Sequence, residues 1–125
     1  MNTRGVRTAF AHDAVVVLGP GVDARAPGAA ITLAVCGSWD HPGPCPLAPH
    51  HTGTSGDGSE VRLRVLFATE GGREAEVRGL IVGALSSGHG PTPEGGTASW
   101  RLLHHAVGAV DAEEAHHAAR LVASE

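Results

Sequence analysis

The sequence has no tyrosine and no lysine, and only two phenylalanines, two tryptophans and two cysteines among its 125 residues. So few rings mean that a core has to be built from Ala, Val, Leu and Ile. The absence of lysine leaves nine scattered arginines as the basic side chains. No basic patch is present to displace counterions from phosphates, which excludes a nucleic-acid-binding protein. No run approaches the ~20 consecutive apolar residues of a membrane-spanning helix. Ala9-Phe10-Ala11 is broken at once by His12 and Asp13, so it does not form a signal-peptide core. The expectation is a cytoplasmic protein without membrane contact. Its two cysteines are then free thiols or ligands rather than a structural disulfide. Gly19-Pro20-Gly21 lacks the lysine and the spacing of a phosphate-binding loop, and no complete catalytic set is visible, so the reading leans away from an enzyme.

What is present has a globular balance: 42% apolar residues, 18% charged residues and a formal charge of −4. The length fits one domain, residues 1–125. A strand is predicted over 14–18, ended by the Gly-Pro-Gly turn. Residues 29–36 read as a second strand, with Ile31, Leu33 and Val35 on one face. Over 60–69, Val61, Leu63, Val65 and Phe67 alternate with Glu60, Arg62 and Arg64, the period of a half-buried strand. Over 73–86, Val77, Leu80, Ile81, Ala84 and Leu85 fall on one helical face. Residues 88–97 read as a flexible loop and 98–110 as a long strand. Asp111 and Glu114 have capping-box spacing ahead of a last helix over about 112–123. The simplest assembly is an α+β two-layer sandwich: a four-stranded mixed sheet with two helices on one face, ferredoxin-like or permuted ferredoxin-like. The strands at 60–69 and 98–110 are candidates for a parallel pair, since the chain between them contains a helix. The bare sheet face favours a homodimer, with a partner protein as a further option.

The chemistry concentrates in a proline-rich loop over 37–59. Two Cys-x4-His units stand side by side, Cys36 with His41 and Cys45 with His50, and His51 is an alternate ligand. Thiolate and imidazole together suit zinc first and copper(I) second. Cys45-Pro46, with His50 or His51 as a second axial ligand, is a dipeptide too common by chance to indicate haem, and the spacing disfavours a mixed iron–sulfur site. The first expectation is therefore a small metal-binding protein acting as a structural-metal module, a carrier or an accessory subunit. A metal-free dimeric interaction module is the alternative, and a small thiol-dependent enzyme is the third. His104-His105 in the last strand must face opposite sides, so one is expected to be packed and hydrogen-bonded. His12 carries no signal in the sequence.

Overall fold

The computed structural model describes residues 6–40, 43, 45–56 and 58–124. Five strands and three helices follow one another as β1 (Arg7–Leu18), α1 (Ala26–Cys36), β2 (His50–Ser55), β3 (Glu60–Glu70), α2 (Glu74–Ser86), β4 (His89–Pro91), β5 (Thr97–Gly108) and α3 (Ala115–Ala123). The sheet order is β2-β3-β1-β5-β4, and every neighbouring pair is antiparallel. The expected four-stranded mixed sheet is thus corrected to five antiparallel strands. β3 and β5 do run in the same direction, but β1 lies between them. Ala11 and Val16 of that strand are fully buried, and a strand so enclosed belongs at the sheet centre rather than its edge.

Residues 29–36 are helical, not extended. Their alternation carries no information because both faces of the supposed strand are apolar. Pro27 stands in the first turn, where its missing N–H costs nothing. Gly37 ends the helix in the left-handed region, with φ of 80° and its N–H donated to the Leu33 carbonyl. Ala26, Pro27, Ala30, Ile31 and Val35 are buried, the spacing of one helical face. The second half of the supposed loop also departs from expectation, since His50–Ser55 pairs with β3. Likewise residues 89–91 add a short strand beside β5.

α1 and α2 pack on one sheet face over Val16, Leu63, Val65 and Phe67. On α2, Val77, Ile81 and Leu85 are buried as their spacing predicts. Trp100 enters the same core and donates its indole N–H to the Leu85 carbonyl at 2.9 Å. The opposite face carries α3, whose Leu121 packs on Ala11, Leu66 and Ala68. The two helices expected on one face, over 73–86 and about 112–123, therefore lie on opposite faces: α1, expected as a strand, packs beside α2, and α3 packs on the face expected to be bare. Asp111 donates its backbone N–H to Glu114 Oε1 at 2.9 Å, as the capping-box spacing implies. Beside it, Arg64 binds Asp13 Oδ2 at 2.9 Å and Glu114 Oε1 at 2.8 Å. The Arg64 hydrogen bond, helped by the Asp111 N–H, holds the Glu114 carboxyl down at about 2.

The β2–β3 turn uses two glycines at positive φ, Gly56 and Gly58, and Gly56 is the more constrained. Gly56 has φ of +135°, and a Cβ there would meet the Glu60 carbonyl oxygen at 2.5 Å. Gly56→Ala should therefore destabilise the protein by about 1–3 kcal/mol, read as a lower urea midpoint at unchanged slope.

Candidate functional site

Helical geometry places Gly28, Thr32 and Cys36 on one stripe of α1, four residues apart, and that stripe faces β2. Gly28 lies against Thr52, where a Cβ would just reach contact at 3.4 Å. Cys36, the last residue of α1, is disulfide-bonded to Cys45, with 5.3 Å between the Cα atoms. The expectation of free thiols is corrected here. The sequence separation of nine residues says nothing about pairing. The bond forms because the end of α1 and the Cys45 segment are both seated at the β2–β3 end of the sheet.

Three anchors seat that segment. The Thr69 hydroxyl donates to the Leu47 carbonyl at 3.0 Å. The Ala68 N–H donates to the Pro49 carbonyl at 3.0 Å. Arg7 reaches the Pro46 carbonyl with one nitrogen and the Ser124 carbonyl with another. His50 follows as the first residue of β2. Its Nε2 lies 2.9 Å from Thr32 Oγ1, and its Nδ1 lies 3.1 Å from the Ala48 carbonyl and 3.9 Å from Cys36 Sγ. With Nδ1 protonated, the ring donates to Ala48 and accepts from the Thr32 hydroxyl. With Nε2 protonated, it donates to Thr32 and turns the Nδ1 lone pair toward the sulfur.

Ligand atoms of Cys36, Cys45 and His50 all lie within 4.8 Å of one another. A tetrahedral zinc holds sulfur and nitrogen about 3.6 Å apart, close to the spacing of Cys36 Sγ and His50 Nδ1. The three residues can therefore hold a metal ion, while the disulfide between two of them opposes it. The thiolate lone pairs a metal would need are tied up in the S–S bond.

The other predicted ligands fall elsewhere. His41 lies outside the described residues. His51 follows His50 in the strand and so points to the opposite face, where its ring sits 4.7 Å from that of His117. Burial, with His51 and Arg120 nearby, lowers the His117 pKa. Trp39 donates its indole N–H to the Ala29 carbonyl at 2.7 Å and anchors the start of the loop to α1. Thr32 shares a face with Cys36 in a strand as well as in a helix, but four residues span about 13 Å of strand and only about 6 Å of helix, so only the helix brings the hydroxyl near the Cys36 end of the site.

A second imidazole cluster lies on the α1/α2 face near the start of α2. His12 is 3% exposed. Arg78 donates from Nη1 to His12 Nδ1 at 2.8 Å and to the Ala11 carbonyl at 2.7 Å. Arginine has no acceptor, so His12 carries its proton on Nε2, which donates to His105 Nδ1 at 3.1 Å. The Arg78 bond thereby denies His12 Nε2 a lone pair for a metal. His105 is thus drawn to His12 and not into the Cys/His cluster, and His104 faces the opposite side. Burial first, then Arg78 and His105, push the His12 pKa below 6.5, against a smaller upward pull from Asp13. An unfolded imidazole binds a proton near 6.5, and the folded one resists it. His12 therefore stabilises the fold above that pH, and its contribution is lost as pH falls below 6.5 through the depressed folded value. The urea midpoint should drop between pH 7.5 and 5. His12→Gln, which can still accept from Arg78 and donate to His105, should flatten that drop.

Fold and site together define an α+β domain with a Cys–Cys–His cluster where a helix end, a loop and the first residue of a strand meet. Compared with protein families, curated proteins and solved structures, the chain matches none of them.

Proposed function

We propose that this chain is a small metal-binding protein whose site is Cys36, Cys45 and His50, competent for zinc or copper(I) when the two thiols are reduced. The observation that supports this reading is the 4.8 Å cluster of two sulfurs and one imidazole. The Thr32 hydroxyl beside His50 Nε2 adds to it, since metal-bound histidines donate their second N–H to such a partner. His41, between the cysteines in sequence, is the candidate for a fourth ligand, with water as the other. Zinc stands first for its preference for mixed thiolate and imidazole donors, and copper(I) second. A cytoplasmic setting, which keeps thiols reduced, is part of the same proposal. Among the described residues no helix is long and apolar enough to cross a membrane. The test is elemental analysis of untagged protein, purified in reductant without chelator or metal-affinity resin. One zinc or copper per chain is expected, and Cys36→Ala should remove it. A metal-free reduced protein overturns the reading.

The second reading, a homodimeric interaction module, draws on β5. β4 covers β5 only at residues 97–99, and among the described residues no strand pairs with the outer edge of 101–108. Leu103 and Val107 on this stretch are 42% and 67% exposed, and no charge occurs from Leu102 to Val110 to discourage pairing. An antiparallel contact between this edge and its copy is self-complementary. Sedimentation should show a dimer that Leu103→Lys dissociates; a wild-type monomer overturns this. The sheet order β2-β3-β1-β5 with α1 and α2 on one face supports reading the domain as ferredoxin-like, extended by β4 and α3.

A further inference from the structure

We propose that the Cys36–Cys45 bond is a redox gate on the metal site, opened by a low-molecular-weight thiol that attacks the Cys36 sulfur. The proposal rests on the metal-site reading above and adds its regulation. The oxidised and the metal-bound states compete for the same two sulfurs, so the protein cannot be in both. The change between them is small. Two sulfurs about 2.05 Å apart in a disulfide stand about 3.8 Å apart on a tetrahedral metal, a difference that side-chain rotation accommodates. Across the current bond the Cα atoms are 5.3 Å apart, and the loop between them includes Gly37 and Gly43, both at positive φ.

The two cysteines differ in exposure. Cys45 is 6% exposed and belongs to the core. Cys36 is half-buried, and a shallow cleft bordered by Thr32, Pro49, His50 and Leu121 opens onto the pair. Exchange proceeds at the sulfur that an incoming thiolate can reach, here Cys36. The incoming thiolate forms a bond to Cys36 Sγ, the Cys36–Cys45 bond breaks, and the electron pair leaves on Cys45 Sγ, which takes up a proton. A second thiolate attacks the small-molecule sulfur of this mixed disulfide and releases Cys36 as a thiol after protonation. The sum is protein disulfide plus two thiols giving protein dithiol plus one small-molecule disulfide. A divalent metal then displaces the two thiol protons and binds both sulfurs and His50. Because the metal binds the dithiol alone, it pulls the equilibrium toward reduction by mass action.

The experiment equilibrates the full chain in glutathione buffers of graded thiol-to-disulfide ratio, with and without zinc, then traps free thiols by alkylation for mass spectrometry. Zinc at one hundred times its dissociation constant for the dithiol should lower the [thiol]²/[disulfide] value at half-reduction by about 100-fold. Cys45→Ser and Cys45→Ala, mixed with oxidised glutathione, should take up glutathione at Cys36 at least tenfold faster than Cys36→Ser takes it up at Cys45. If the reduced chain binds no zinc, the metal-site reading falls. If it binds zinc but the midpoint does not move, or the disulfide survives every glutathione ratio, the gate alone is overturned. Faster modification at Cys45 overturns the assigned point of attack.

Discussion

Reduced wild-type protein should hold one zinc, and Cys36→Ser, Cys45→Ser and His50→Ala should each weaken it by about 100-fold or more. Structural zinc sites with four ligands bind with roughly 10–16 kcal/mol, so each protein ligand carries on the order of 3 kcal/mol. Thr32→Val keeps the shape of the side chain and removes the hydroxyl 2.9 Å from His50 Nε2. It should cost about 10–100-fold, the scale set for a partner that orients a histidine ligand. His51→Ala should leave affinity unchanged, because that ring lies against His117 on the other face of the sheet. Competition against a chromophoric zinc chelator, in reductant, measures all five variants. Equal affinity in wild type and His50→Ala would remove the imidazole from the site.

Phe67→Ala should cost about 3–5 kcal/mol and lower the melting temperature by roughly 10–20 °C. Phe67 is fully buried at the centre of the main core. Its ring lies 5.4 Å from that of Phe10, and the Arg78 guanidinium sits 5.2 Å from its centroid. The cavity left behind is bordered largely by aliphatic side chains held on β-strands and packed helices, which relax little. Phe67 also stands opposite His50 in the β2–β3 register. The same substitution should therefore loosen the histidine and weaken zinc binding of the folded fraction, which a destabilised core remote from β2 would not do. Phe67→Leu, which refills much of the volume, should recover most of both losses.

Periodicity was informative where one side of an element met water and the other met the core. β3 shows this in its first half, with Val61, Leu63 and Val65 inside and Arg62 and Arg64 between them. So does α2 with Val77, Ile81 and Leu85. It failed over 29–36, where apolar residues fill every side, and strand and helix templates fit equally. There the deciding signals were local, Pro27 in the first turn and Gly37 at the end. It failed again at His50–Ser55, a polar edge strand held by its pairing with β3 rather than by burial of its own side chains.

The sequence alone established an aliphatic core, a mixture of strand and helix periods, and the gathering of both cysteines and three histidines between residues 36 and 51. Covalent order brings those residues near one another along the chain. It cannot say which of them meet, because side-chain direction depends on whether each sits on a helix, a loop or one face of a strand. Only the tertiary structure decided that Cys36 and Cys45 join, that His50 turns toward them while His51 turns away, and that the unmarked His12 is buried between Arg78 and His105.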